Sequence, residues 1–597
     1  MSARYPLKTY NGTEKLVISL DIGTTQSAVS FAHLVPGTSP QPRMVSHWPG
    51  LAHDSCAMKI PSIVSYEAGV MQACGEVAVQ YLKSDTLNQN IARWFKLHLH
   101  PPKIPRPPGF EIPELPSQVS VPLVYRDMIK YLMDNTEKFF ERTTPNGNEI
   151  WQRLRHKMII ILATPNGWDH LEKAMVRAAV VSAGIVAAGE ADLRVHFVTE
   201  AEAAVHYALA YHPKDWLETG NVFSVIDAGG STVDITVYKC ISTNPLRLTE
   251  ACPSECIQAG GIFVNREVEK LLSHRLHGSP YSDPVIIRDM LEYFERELKP
   301  KFDGSLSSYQ IRFGNFKDTD DSLGIYKGRI TVSKNDLKEA FDKAVNQIIA
   351  CCRKALRSYK PKYILLVGGF GESPYLLEAL TTTFATGTTH VIPVGDYSRK
   401  AAAEGATIAC TKKLVQSRIA RATYGGCVRE VYEPRFHHER KADTYIDPDG
   451  KRRVDNVFHP WGMTIKEEFT HRLHYHNSWR ADSTTKSALG AQLGNTTVDV
   501  YAWEGTGPAP RWCKDRAGYI IPGMRFLCTL DADLSALVSS LATQSTARGI
   551  RYYKVEYDIC IHFGGTRLRA SLEWKEGQQT RQGPISVIPA KADVLAE

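Results

Sequence analysis

Two segments of the chain repeat one plan, and that repetition constrains the fold more than anything else in the sequence. Residues 15–32, KLVISLDIGTTQSAVSFA, run from an aliphatic stretch through an aspartate, a glycine and two hydroxyl residues into a second aliphatic stretch. Residues 221–240, NVFSVIDAGGSTVDITVYKC, do the same, with Asp227 following Asp21 by 206 positions. Short β-branched runs bounded by glycine suit buried strands rather than helices, so each segment reads as strand, tight turn, strand. A third run, PKYILLVGGFGESPYLLEAL at 361–380, reads as a strand ending in Gly-Gly and leading into a helix. Residues 335–359 carry Leu337, Phe341, Val345, Ile348 and Ile349 near a 3.6-residue period, with Ser333 and Asp336 able to cap the start. Residues 201–211 form an alanine-rich helix. Strands alternating with helices predict an α/β architecture.

The turns carry the chemistry. In the first, Asp21 ends a strand and Gly23, Thr24 and Thr25 make the bend. Glycine lets backbone approach an anion, successive N–H groups cradle phosphate oxygens, and threonine hydroxyls add donors. The second offers Asp227, Gly229, Gly230, Ser231, Thr232 and Asp234. Two such loops facing each other would clamp one polyphosphate, and their carboxylates would hold hydrated magnesium, which prefers oxygen ligands and keeps several waters. No GxxxxGK[ST] loop is present, and no GxGxxG opens a helix after the first strand, so neither a P-loop nor a dinucleotide fingerprint applies.

Composition narrows the class. Of 597 residues, 43% are hydrophobic and 23% charged, which excludes a disordered or fibrous chain. No window is long and apolar enough for a membrane span, and the first residues lack the apolar core of a secretory signal. The net charge of +7 is spread along the chain, so no nucleic-acid partner is expected. The one dense basic run, Lys451-Arg452-Arg453, reads as a solvated turn, with a nuclear-import patch as the other reading. Twelve cysteines without a secretion signal read as reduced thiols in a cytoplasmic setting. His474 and His476 share a strand face near His471 and read as an interface strand rather than a metal site. Residues 101–116 hold seven prolines in sixteen positions and read as an exposed, extended surface insertion. From Val415 onward, alternating segments separated by Gly, Pro and Asn read as an all-β region of about 180 residues.

The motifs LDIGTTQSAV, VIDAGGSTVDITV and LLVGGFGESPYL resemble the actin, sugar-kinase and heat-shock-chaperone superfamily of ATP-binding folds, and within it the seventy-kilodalton heat-shock chaperones. FKLHL around Lys96, TEAEAA at 199–204 and RATYGGCV at 421–428 are similar to the diverged heat shock 70 kDa protein 12-like branch. The resemblance covers residues 16–411 well and continues more weakly to about residue 572. It implies a two-lobed actin-like ATPase domain with ribonuclease H-like lobes over residues 16–414, after an N-terminal extension at 1–15, and a β-rich C-terminal domain at 415–597 without a helical lid. ATP or ADP and Mg2+ are the implied cofactors, and a polypeptide client or co-chaperone the implied partner. Asp21, Gly23, Thr24, Thr25 and Gln26 match the first phosphate loop, and Asp227, Gly229, Gly230, Ser231 and Thr232 the second, Thr232 at the terminal phosphate. Glu200 matches the acid that holds the magnesium waters or the attacking water, together with Asp21 and Asp227. Lys96 matches the lysine that orients the terminal phosphate. Gly368, Gly369 and Phe370 match the adenosine-side turn. Glu295 and Lys299 match the helix bordering adenine and ribose, and Gly260 and Gly261 the turn after the second hairpin. The implied reaction is slow in-line hydrolysis of ATP, with lobe closure as the signal.

The chain also departs from the chaperone pattern. Phe370 and Glu372 replace a small residue and an adenine-stacking arginine. Ala201-Glu202 stand where a threonine-proline pair is expected. No hydrophobic linker is recognisable near 412–419, and only 23 residues follow Trp574. Two other readings therefore stay open, a metabolite kinase of the sugar type on the same fold and a nucleotide-sensing scaffold with little turnover.

Overall fold

A computed structural model describes residues 9–51, 57–84, 90–101, 104–211, 216–394, 401–411, 414–419, 422–461, 464–466, 470–505, 507–562, 569–576 and 579–589. The start of the N-terminal extension, the linker positions 412–413, residues 398–400 of the second hinge segment and Arg421 of RATYGGCV lie outside the described residues, as does the side chain of His471. The chain divides into two compact units, Met1–Gln416 and Ser417–Glu597. It is a mixed α/β protein with several sheets, consistent with an actin-like ATPase fold.

The first unit contains two sheets of one design. In the first, β1 (Lys15–Ile22) and β2 (Gln26–Leu34) form the expected hairpin, Asp21 opposite Ala28. β2 also pairs with β3 (Arg43–Met44) and β4 (Lys59–Pro61). β5 (Ile159–Thr164) runs parallel to β1, and β6 (Val195–Thr199) parallel to β5, giving the order β3-β2-β1-β5-β6. In the second, β7 (Val222–Ala228) and β8 (Val233–Thr243) form the hairpin, Asp227 opposite Asp234. With β9 (Leu246–Glu250), β10 (Tyr363–Val367) and β11 (His390–Pro393), the order is β11-β10-β7-β8-β9, and β10 runs parallel to β7. Asp21 and Asp227 are each the penultimate residue of an equivalent strand.

Alternation decides where those aspartates point. Leu16, Ile18 and Leu20 enter one core with α1 (Val121–Thr143), while Val17, and by period two Ser19 and Asp21, lie on the opposite face. Ile226 and Ala228 likewise join a core with α3 (Gly261–Arg275) and α4 (Lys334–Ala355), leaving Phe223, Val225 and Asp227 on the other face. Two helices cover these inner faces. α2 (Glu200–Tyr211) follows the first sheet in the chain yet packs Val205, Ala208 and Leu209 on Phe223, Val225 and Tyr238 of the second. α5 (Ala401–Thr411) follows the second sheet yet packs Ala406 with Val17 and Ala32 of the first. Ser19 Oγ bonds to Thr407 Oγ1 at 2.8 Å and donates to the Ala403 carbonyl, tying α5 to β1. Small residues let the two helices meet. A Cβ at Gly405 would stand 1.8 Å from the Ala203 carbonyl oxygen.

The sequence-derived helices appear with shifted ends. α4 starts at Lys334, with Ser333 Oγ accepting the Asp336 N–H at 3.1 Å, and stops at Ala355, before Tyr359. The Pro-rich segment forms neither helix nor strand among the described residues, as expected, but it is not simply exposed. Ile104 is buried, and the Phe110 ring sits edge-on to Phe263 of α3 at 4.9 Å. Arg266 of α3 lies over both Trp94 and Phe110, at 5.1 and 5.7 Å. Apolar residues spaced among prolines turn the loop into a strap that packs against α3. Phe110→Ala should therefore lower stability by about 1–2 kcal/mol in denaturant unfolding, through loss of an aromatic pair and a cation stack.

The second unit carries two antiparallel sheets. One is ordered Tyr445–Ile446, Arg452–Pro460, Thr423–Val431, Thr496–Trp503, Met524–Ala532, Ser586–Pro589. The other runs Thr470–Arg480, Arg551–His562, Arg569–Glu576, Gln579–Pro584. The all-β expectation misses the helix Lys486–Leu493, which Thr485 caps through the Ala488 N–H at 3.2 Å. Its eight residues are too few to show a period. The Lys451 run is also not a solvated turn throughout. Arg453 is 2% exposed and pairs with Asp447 at 2.9 Å and with Asp449, so it is committed to an internal ion cluster. His474 bonds Asp558 at 2.8 Å on an exposed strand face, whereas His476 bonds the buried Arg453 at 2.7 Å and so joins its ion cluster.

Candidate functional site

The two turns close with the same bond. The Gly23 N–H donates to the Gln26 carbonyl at 3.1 Å, and the Gly229 N–H to the Thr232 carbonyl at 2.9 Å. They also meet. Thr24 Oγ1 and Ser231 Oγ are 2.6 Å apart, both buried, and a Cβ at Gly230 would stand 2.8 Å from Thr25 Oγ1. The loops from the two sheets therefore face each other across one site, a juxtaposition that 206 residues of sequence separate.

Gly260 and Gly261 sit directly behind the second loop. The N–H groups of Gly260, Gly261 and Ile262 donate to the carbonyls of Ser231, Gly229 and Gly230 at 3.0, 3.1 and 2.8 Å. The first turn of α3 thus spends its orphan donors on fixing the loop. A Cβ at Gly260 would fall 2.5 Å from Gly230 backbone atoms, so only glycine permits the approach.

Charge is concentrated here. Lys96, on the turn Phe95–Leu99, donates to Glu200 Oε1 at 2.6 Å; the lysine is buried and the glutamate largely so. Its ammonium also lies 5.6 Å from the Trp168 ring. Lys59 Nζ pairs with Asp21 Oδ2 at 3.0 Å. Asp234 accepts the Asn166 N–H at 3.0 Å. Burial works against the Lys96 charge, but Glu200 and then Asp21 outweigh it and hold its pKa above the usual lysine value. Burial pushes the Asp227 carboxyl well above the ordinary range, and the charges of Glu200, Asp234 and Asp21 push it further, with Lys59 opposing. Four carboxyl groups thus stand against two ammonium groups beside the paired loops, which is why the Asp227 proton is held.

That donor set suits a hard divalent cation, since every candidate atom is a carboxylate oxygen. No three His, Cys, Asp or Glu side chains among the described residues converge closely enough to ligate an ion directly, so the fit is to an ion that keeps its waters. Asp21, Glu200 and Asp227 are the residues that would hold it.

The residues expected on the adenosine side lie beside the second loop and the start of α3. Gly368 adopts φ +89°, and a Cβ there would lie 2.4 Å from both Asp227 Oδ1 and the Ala228 carbonyl oxygen. Gly369 has open space beside it. Lys299 Nζ donates to Asn265 Oδ1 at 2.8 Å and lies 3.6 Å from Glu295, near the Gly261 carbonyl. Phe294–Leu298 is a single π-helical turn, a geometry frequent at functional sites. Phe370 differs from its expected role. Its ring is 5% exposed and packs toward Phe341 at 6.3 Å, so it is committed to the core rather than presented to a base. Sequence reasoning missed Lys59, Asn166 and Trp168. A lone lysine in MKIPS and a tryptophan in a Pro-Asn-Gly loop carry no pattern that separates them from ordinary surface and core residues.

Paired glycine-turn hairpins on two sheets of matched order, with crossing helices between, are consistent with an actin-like ATPase fold. The chain is 24% identical over 530 residues to human Heat shock 70 kDa protein 12A, an alignment covering 77% of this chain and 69% of that protein. It is 25% identical over 404 residues to the mouse protein of the same name, covering 58% of this chain and 56% of that one, so the match spans about half the length of the mouse relative. These similarities support the heat shock 70 kDa protein 12-like branch to which the motifs point. No protein-family model matches the chain.

Proposed function

We propose that this chain binds ATP between the two loops and hydrolyses it slowly, as a heat-shock-seventy-like conformational switch. The observation that carries the reading is the 2.6 Å contact between Thr24 and Ser231, which joins two equivalently closed turns beside the Lys96–Glu200 pair. Thr232 and the turn N–H groups bind the terminal phosphate. Lys96 neutralises the charge that develops on it and holds Glu200 in place, and Glu200 orients the attacking water. Asp21 and Asp227 hold the waters of magnesium, which when bound supplies further neutralisation of the phosphate oxygens. Acceleration comes from positioning and charge rather than a covalent intermediate.

Residues 16–414 form the nucleotide-binding domain with two lobes, and residues 415–597 a β-rich domain that binds polypeptide. Because α2 and α5 each follow one sheet and pack on the other, closing the loops on a nucleotide shifts both helices together, which makes them the hinge of the switch. Thr232→Ala should lower ATP turnover at least about tenfold in a phosphate-release assay, as loss of one positioning donor usually does. Unchanged turnover would remove Thr232 from the site. Phosphorylation of a small alcohol, with no nucleotide-dependent peptide binding by the full chain, would favour a metabolite kinase instead.

A further inference from the structure

We propose that Lys59 is a second phosphate-sensing cation, one that makes the site discriminate a nucleoside triphosphate from a diphosphate. The inference rests on the ATP-binding reading above and assigns a role that the motifs do not supply.

Strand register puts Lys59 there. In β1–β2 pairing Asp21 faces Ala28, and in β2–β4 pairing Lys59 faces the same Ala28. Residues directly opposite in an antiparallel ladder share a face, so Asp21, Ala28 and Lys59 form one row across three strands. Ala28 is fully buried and too small to block the row, and the Lys59 ammonium reaches over it to Asp21 at 3.0 Å. The equivalent row of the second sheet reads Asp227, Asp234, Cys256, with no cation. The two loops are therefore alike in backbone but unlike in charge, since the first row balances its aspartate with a lysine and the second carries two aspartates and no cation.

β4 is also fixed to the first loop. The Ser62 N–H donates to the Thr25 carbonyl at 2.9 Å, and Ser62 Oγ meets Ser27 Oγ at 2.8 Å. This anchors the Lys59 backbone while its side chain stays 20% exposed, against 7% for Lys96. Lys96 is held by Glu200 inside the protein, whereas Lys59 retains room to turn from Asp21 toward an incoming anion. Asp21 stands at the magnesium and third-phosphate end of the proposed site, so the group that displaces it as Lys59's partner is the third phosphate, which a diphosphate lacks. Release from Lys59 also frees Asp21 to hold the waters of the metal.

The test is calorimetric titration of the full chain with ATP and with ADP in magnesium. Lys59→Met should weaken ATP binding at least tenfold and ADP binding less than about threefold, while Lys59→Arg keeps most of the parent selectivity. If Lys59→Met does not fold, Lys59→Gln, which keeps a polar end in the row, replaces it with the same expected ratio. An equal effect on ATP and ADP, or none, overturns the proposal and leaves a structural counter-ion for Asp21. Absence of ATP binding by the parent protein overturns this proposal together with the ATP-binding reading, which separates the two failures.

Discussion

Asp227→Asn is expected to cost at least about tenfold in ATP turnover and, in the same protein, to raise the stability of the metal-free fold at neutral pH. The two effects have one cause. Asp227 sits at the end of a buried strand, surrounded by Glu200, Asp234 and Asp21, and burial with those charges raises its pKa. A carboxyl raised in the folded state favours folding most below its unfolded value of about 3.9. That contribution is lost as pH rises from the unfolded value through the folded one, so at neutral pH the acid opposes folding relative to an uncharged isostere. Asparagine removes the charge while keeping the shape, and turnover falls because one holder of the magnesium waters is gone. Denaturant unfolding at pH 7 should show the variant more stable than the parent, with the gap closing as pH approaches 4. A variant less stable than its parent at pH 7 would mean that Asp227 is a satisfied structural acid.

The second large effect is expected at Gly405, far in sequence from either phosphate loop. Its place on α5 puts a Cβ 1.8 Å from the Ala203 oxygen and 2.5 Å from the Ala203 carbonyl carbon, both backbone atoms of α2. No rotamer change relieves a contact between Cβ and backbone, so valine must push the helices apart. Overpacking of this kind costs about 3 kcal/mol or more when backbone has to move. α2 begins at Glu200 and α5 is tied to β1 through Ser19 and Thr407, so the displacement reaches the site from both sheets. Gly405→Val should therefore lower the unfolding midpoint and ATP turnover together, whereas Gly405→Ala should show a smaller loss of both. Full stability in the valine variant would contradict the crossing-helix account.

The parts of this arrangement legible in the sequence were those with a local signature. Asp21 and Asp227 stood out because each ends an aliphatic run and precedes a glycine turn, and alternation within those runs was enough to place them away from Leu20 and Ile226. Gly260 and Gly368 were legible only through resemblance, and the structure supplies their physical reasons, a backbone approach and a positive φ. What sequence could not show arises from distant pairing. Lys59 acquires its role from a register shared with Ala28, and Arg453 from two aspartates within one turn that bury it. Phe370 matches the adenosine-side turn by its place after Gly368 and Gly369, but its ring is buried and faces Phe341, a distant partner that local sequence does not reveal. The Pro-rich segment was read as exposed because proline forbids regular structure, yet Ile104 and Phe110 supply apolar anchors that need no backbone ladder. The chain's eight-residue helix at Lys486–Leu493 was hidden for the opposite reason, too short to present a period.

One measurement bears on the central claim most directly. Titration of the full chain with ATP, in magnesium and again in chelator, reads the paired loops and the carboxylate cluster together. The account predicts saturable binding of one nucleotide per chain that weakens at least about tenfold without magnesium and weakens similarly, in magnesium, when Asp21 is changed to asparagine. Binding that is indifferent to both magnesium and Asp21, or no binding at all, would contradict it.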